Sequence, residues 1–345
     1  MAPTRTRPPR SLPAPGSSRK APRRRRGPAS SRRAAPRWRG RNAIPTPSPI
    51  STRRSRSSPA TSLSWSSAEA REKTGDTAGA RADYDQALAA APWTVDALIG
   101  RARLASQAGD YRAALKDLNE ALVIRTDRVD AFSARATAYR RLGDPAAAVR
   151  DLDQAIKLRP DGAYLYVSRA GALAATGDPT RAMEDLATAL RLDPNSADAY
   201  VARGNIGLRQ GDADQALADL DRAVALKPDM AEAYRSRAYA LFRRGGLDAA
   251  VADYGRAIKL APDMAAAYSG RGDALAKKGD DVAALRDFDA AIRLRPDFAP
   301  AYYSRGRSYM QLGELSKARA DLSEALRLDP KLEAAQRQLE SIARK

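Results

Sequence analysis

Residues 197–230 read ADAYVARGNIGLRQGDADQALADLDRAVALKPDM, and residues 231–264 read AEAYRSRAYALFRRGGLDAAVADYGRAIKLAPDM. Set one under the other, they share Ala-Tyr at places 3 and 4, Arg at 7, Gly at 15, Ala at 20, Asp at 23, Ala at 27 and Pro at 32. The period is 34 residues, and it extends without a gap in both directions. Eight units fit: 61–94, 95–128, 129–162, 163–196, 197–230, 231–264, 265–298 and 299–332. Slots are numbered below from the first residue of each unit. Slot 15 is Gly and slots 20 and 27 are Ala in all eight units, slot 8 is Ala or Gly, and slot 32 is Pro in seven, with Thr126 the exception.

Each recurrent residue has a mechanical reading. Apolar residues at helical spacing over slots 1–14 predict a first helix. Gly at slot 15 supplies the left-handed backbone that ends it, a conformation a side chain resists. Asp at slot 16 in six units can cap the next helix by accepting from its free N–H groups. Pro145 and Pro179 at slot 17 sit where a missing N–H costs nothing. Pro at slot 32 stops the second helix. Small residues at slots 8, 20 and 27 let the two helices approach closely, with slots 4, 24 and 28 filling the space between them. The sequence therefore predicts an all-α array of helix–turn–helix units.

The period, the small slot 8, Gly at 15, Ala at 20 and 27 and Pro at 32 resemble the tetratricopeptide repeat (TPR) family, over 272 of 345 residues. The resemblance implies a right-handed α-solenoid whose first helices line a concave groove that binds peptide segments or helices of other proteins. Residues 333–345, polar except for residues such as Leu339 and Ile342, read as a C-terminal capping helix. Unit 61–94 departs from the pattern, with Ser64 and Arg71 in slots that are apolar in most other units. That suits either a capping repeat or a reading frame that becomes genuine near Ala68.

Composition removes several chemistries. The chain has no Cys and no His, which excludes disulfides, Cys/His zinc sites and every mechanism built on a histidine base. No phosphate-cradling Gly-x-x-x-x-Gly-Lys occurs, so no cofactor or metal is expected. No apolar run reaches the length of a membrane span, and no apolar signal segment opens the chain, so the cytoplasm is the expected compartment. An enzyme would need carboxylate-only chemistry, for which Glu69 and Glu72 are the available pair. Both are expected to face solvent, so a non-enzyme is expected.

The net charge of +19 is concentrated. Residues 1–60 carry 16 Arg, 1 Lys and no acid, with 12 of the 22 prolines, while residues 61–345 carry 43 basic and 41 acidic side chains. Residues 1–60 are expected to form a disordered Arg/Pro/Ser-rich tail. Several readings of it stand open: a nucleic-acid arm, a transit peptide (which so much Pro disfavours), attachment to an anionic membrane surface, a passive solvated tail, or a mis-assigned start.

Arg occupies slot 7 in seven units and Asp slot 23 in eight. Equal copies on both sides favour an Arg–Asp bridge between the paired helices over a ligand-reading ladder. The TPR resemblance implies that slots 2, 5, 9, 12 and 13 face the groove. On that footing Lys73, Arg103, Arg140, Arg141, Arg209, Arg243, Lys277 and Arg307 form a basic band, against Glu69, Glu72 and Asp273, and Asp96, Asp130, Asp198 and Glu232 form an acidic edge. The band either clamps an acidic peptide or free carboxylate, or merely complements the helix dipoles. Val167, Val201, Leu208, Tyr239, Phe242, Tyr303 and Met310 are expected to be exposed in the groove unless they pack on the neighbouring repeat. Tyr239 and Phe242 beside Arg243 make the best anchor cluster. The chaperone-binding TPR subtype has Lys at slot 5 and Asn at slot 9. Here Asn205 stands at slot 9 but Val201 at slot 5, with Ser236 and Ala266 in the next two repeats, so that clamp is absent. The expected function is a non-catalytic scaffold binding other proteins in the groove. The alternative is an adaptor recruited to nucleic acid or another polyanion by residues 1–60.

Overall fold

A computed structural model of the protein describes residues 59–343, with side chains from Trp65 onward. The expected tail lies outside the described residues apart from Pro59 and Ala60, which open the first helix. The chain forms α1 (Pro59–Lys73), α2 (Thr77–Ala90), α3 (Val95–Gln107), α4 (Tyr111–Ile124), α5 (Val129–Arg141), α6 (Pro145–Leu158), α7 (Ala163–Thr176), α8 (Pro179–Leu192) and α9 (Ala197–Gln210). It continues through α10 (Ala213–Leu226), α11 (Ala231–Arg243), α12 (Leu247–Leu260), α13 (Ala265–Lys277), α14 (Asp281–Leu294), α15 (Ala299–Gln311), α16 (Leu315–Leu328) and α17 (Glu333–Ala343). No strand occurs among the described residues, and no helix among them is long and apolar enough to cross a membrane.

The turns are built as the residue types dictate. All eight slot-15 glycines have φ between +78° and +92°. The slot-16 carboxylates of Asp76, Asp110, Asp144, Asp178, Asp212 and Asp280 each accept from the amide three residues on. At the other end the residue before slot 32 leaves the helical region in every unit, with φ between −147° and −133°, in keeping with the bias a following Pro imposes. Arg125 is extended too, at φ −136°, although Thr126 follows it, so the turn does not depend on Pro alone.

Packing then follows the slots. Ala at slots 20 and 27 is at most 1% exposed in every unit, and the slot-24 residues Tyr84, Leu118, Leu152, Leu186, Leu220, Tyr254, Phe288 and Leu322 are at most 3% exposed. The two helices of a unit pack on each other, and each second helix packs on the next first helix. First helices also touch one another along the stack, as α7 does α9 and α9 does α11. Second helices do not pack on one another to that extent. The row of first helices is therefore the inner, concave row of a right-handed α-solenoid. At the C-terminal end α17 packs on α16, burying Ala335 and Ile342 against Leu322 and Ala325.

Candidate partner-binding groove

The slot-7 arginines anchor the unit rather than face a ligand. Arg101, Arg135, Arg169, Arg203, Arg237, Arg271 and Arg305 each hold the slot-23 Asp of their own unit through Nε and a terminal nitrogen, at 2.6–2.9 Å. The seven aspartates, Asp117 to Asp321, are buried. The hydrogen bonds to them hold these guanidinium pKa values above the ordinary range. The slot-4 aromatic lies one turn earlier with the same guanidinium over its ring, as for Tyr200 and Arg203 at 5.5 Å. In the first unit Asp83 instead accepts from Ser67 Oγ at 2.6 Å and Arg71 Nη1 at 3.4 Å.

One partner of these arginines was missed in the sequence. Nη1 reaches back to slot 25 of the preceding unit, at Asp85, Asn119, Asp153, Asp221 and Asp289. At two joints slot 25 is Ala187 or Gly255, and Arg203 and Arg271 have no such acceptor. The polar residues at slot 25 were the available signal, visible in the same 34-residue frame.

The groove itself is less open than the slots suggested. Val201 and Leu208 are 5% and 4% exposed, not open to a partner. Spaced seven apart on α9, they lie in one core with Ala233 and Ala240 of α11, whose small side chains let α11 close over them. Val167, Phe242, Tyr303 and Met310 are half-buried on the cores of their own and adjoining repeats. Tyr239 remains 39% exposed. Asn205 is half-buried, and its backbone carbonyl accepts from Arg209 Nε at 3.3 Å.

Arg103 is also not free. It grips Glu72 with two hydrogen bonds of 2.5 and 2.6 Å, and Tyr84 Oη donates to the same carboxylate at 3.3 Å. Glu72 thus does not face solvent as expected, and Arg103 holds its pKa below the usual carboxylate range. The acidic edge is mostly engaged as well: Arg128 bridges Asp96 and Asp130, and Arg235 binds Glu232.

Most of what stays open is cationic, although Asp198 of the acidic edge is exposed and likewise has no ion pair among the described residues. Arg140, Arg141, Arg209, Arg243, Lys277 and Arg307, on α5, α9, α11, α13 and α15, have no carboxylate within 4.0 Å among the described residues. Arg140 lies against α7 at Gly171, where a Cβ would sit 3.1 Å from its Nη1. Burial, and then the charge of Arg141, push the Arg140 guanidinium below its ordinary pKa. Arg243 donates from Nη1 to Tyr239 Oη at 3.2 Å and stacks on that ring. Lys277 Nζ stands 4.9 Å from the Phe242 ring centre, so the Tyr239–Phe242–Arg243 cluster gains a cation from the next repeat.

Between α13 and α15 the groove deepens into an open pocket of 540 Å³, lined by Phe242, Asp273, Lys277, Ser304, Arg307 and Gln311 among others. Asp273 is half-buried there and hydrogen-bonded to Ser304. Burial raises its pKa, an effect only partly opposed by Ser304 and by Arg307. No group of three or more acidic side chains among the described residues could hold a metal ion.

Comparison with known proteins bears on the same residues. Tetratricopeptide repeat models match residues 67–129, 133–197, 172–231, 201–254 and 299–332, and a TPR repeat model matches 238–279 and 272–313. No curated protein sequence matches the chain. Among solved structures, the APC/C hetero-tetramer Cut9–Hcn1 aligns with a TM-score of 0.65 at 17% identity, over 77% of this chain and 52% of the other. The chain thus spans about half the length of that relative. A tetratricopeptide repeat protein from Parabacteroides merdae aligns with a TM-score of 0.57 at 20% identity, over 72% of this chain and 98% of the other. A monomeric IFIT1 mutant with m7Gppp-AAAA aligns with a TM-score of 0.65 at 14% identity, over 80% of this chain and 70% of the other. These likenesses are of fold.

Proposed function

Since the chain belongs to the tetratricopeptide repeat family, we propose that it is a non-catalytic interaction scaffold whose groove takes an acidic segment of a partner protein. The repeat boundaries we assign are the eight 34-residue units of 61–332, with α17 as the terminal cap. One observation carries the reading. Every slot-7 arginine from Arg101 to Arg305 is bridged, whereas Arg140, Arg141, Arg209, Arg243, Lys277 and Arg307 of the groove have no carboxylate within 4.0 Å among the described residues. Cations gathered along one concave wall reinforce one another's field, and a carboxylate-rich segment relieves their repulsion. Tyr239 and Phe242 supply the apolar contact beside Arg243 and Lys277 that turns charge attraction into a fixed register.

The test is the binding of a labelled Glu/Asp-rich peptide to the full chain, followed by anisotropy. Arg140→Glu with Arg141→Glu, and Arg243→Glu with Lys277→Glu, should each weaken binding about tenfold or more. Affinity unchanged in both double variants would sink the reading. The adaptor alternative rests on residues 1–60, outside the described residues. Binding that ignores the groove variants but collapses when Arg23 to Arg26 become Ser would favour it.

A further inference from the structure

The eight units serve as one another's controls, and one of their joints is anomalous. At slot 29, near the C-terminal end of the second helix, five units carry Lys157, Arg191, Lys259, Arg293 and Arg327, and two carry Ala89 and Ala225. The remaining unit carries Val123. At slot 33, in the loop between units, the chain has Asp127, Asp161, Asn195, Asp229, Asp263, Asp297 and Lys331, but Trp93 in the first. Both exceptions come together in space. Pro92, Trp93, Asn119, Glu120, Val123 and Ile124 line a shallow depression of 430 Å³. Trp93 is 60% exposed and Val123 83% exposed. Neither side chain joins the buried core of the first repeats, and other units carry Asp or Lys at the same slots.

The charges around the depression indicate what it accepts. Glu120 forms no ion pair among the described residues. Arg125 is held by Asp127 through two hydrogen bonds of 2.8 Å, and Arg128 by Asp96 and Asp130. The cation that most units present at slot 29 is missing here, and an open indole face also attracts cations. Glu120 is thus the one charged residue that lines the depression, and Lys116, one turn earlier on α4, lines a different pocket with Arg81 and Asp85.

We propose that this patch, on the second-helix side of the first two repeats and apart from the groove, is a separate docking site. Its occupant is a short partner segment that presents a bulky apolar side chain flanked by Lys or Arg. The apolar residue covers Trp93, Val123 and Ile124, while the cation meets Glu120 and the indole face. The scaffold thus offers two surfaces of opposite preference, with acidic segments inside and basic–apolar segments outside.

The experiment is a titration of the full chain with a synthetic Lys-Leu-Leu-Lys peptide, read at the Trp93 indole N–H resonance, which Trp93→Phe assigns. Glu-Leu-Leu-Glu and Lys-Ser-Ser-Lys are the controls. The expected result is a saturable shift with the first peptide only. Val123→Lys should weaken it about fivefold or more, and Arg243→Glu should leave it unchanged. Val123→Lys and Trp93→Asp install residues that other units carry at those slots, so both should keep the helical signal and melting temperature. The proposal is overturned if the basic–apolar peptide gives no saturable shift, if the acidic peptide shifts the resonance equally, or if Val123→Lys binds as the parent does. Self-association in sedimentation, abolished by Val123→Lys, would identify a second copy as occupant and overturn the stated partner.

Discussion

Tyr254 and Gly270 share one volume: a Cβ on Gly270 would lie 2.6 Å from Tyr254 Cε1. Tyr254 stands at slot 24 of its unit and Gly270 at slot 6 of the next. The same pairing recurs at Tyr84 and Gly100, where Cε1 would be 2.5 Å from the added carbon. These are the two Tyr residues at slot 24 and the two Gly residues at slot 6. A larger side chain on one helix is matched by a missing one on its neighbour.

Gly270→Ala should therefore destabilise the protein by about 1–3 kcal/mol, because the added carbon overpacks a closed interface. In a Tyr254→Leu background, with the residue found at slot 24 in five units, the same change should turn neutral or stabilising by up to about 1 kcal/mol through helix propensity. Urea unfolding of the four proteins measures the cycle. Additive costs would show that the two residues do not share the space.

The Arg–Asp bridges should differ in strength along the stack. Among the described residues Arg203 has Asp219 as its sole carboxylate partner, whereas Arg169 holds both Asp185 and Asp153. Asp219→Asn is expected to cost about 2–4 kcal/mol, and Asp185→Asn less, since Asp153 still compensates Arg169. Neither should change binding of the acidic peptide. Equal losses of stability, or lost binding without lost stability, would contradict this assignment.

Asp273 should make stability fall as pH rises. Its carboxyl pKa is raised in the folded chain, so the native state binds more protons than the unfolded state between the unfolded value and the raised one. Stability is then greatest below that window and declines through it. Asp273→Asn should raise the melting temperature at neutral pH and lose that advantage near pH 4, close to the unfolded value. A pH-independent difference between the two proteins would refute the effect.

Glu72 works with the opposite sign. Its pKa is lowered by Arg103, so its contribution is present above the unfolded value and disappears as pH falls through the folded one. Both side chains are partly solvated, and the contribution is about 0.5–1 kcal/mol. Glu72→Gln should show that loss at pH 7 and none in acid, by the same melting measurement. The substitution also frees Arg103, so it should strengthen acidic-peptide binding at the first two repeats.

Residues near in sequence were the legible ones. Asp144 capping the amide of Ala147, the left-handed Gly177 and the Tyr200–Arg203 stack are all relations within a few residues, and the backbone fixes them wherever the residue types occur. The Arg203–Asp219 bridge spans sixteen residues, yet repetition exposed it. The candidate groove was legible only as a set of slots. Arg140, Arg243 and Lys277 stayed open, but Arg103 was taken by Glu72, thirty-one residues away in a unit that breaks the pattern.

The sequence by itself determined the period, the helix pairs and their caps, because these follow from local backbone preferences repeated eight times. Only the tertiary structure decided which inward slots remain accessible. Val201 and Leu208 vanish beneath α11 because Ala233 and Ala240 are small enough to let that helix close, while Tyr239 on the same helix stays exposed. Trp93 and Val123 became one surface only when the turn after α2 met the end of α4. Accessibility depends on the volumes of side chains contributed by neighbouring units, and a slot pattern records residue types without recording what stands against them.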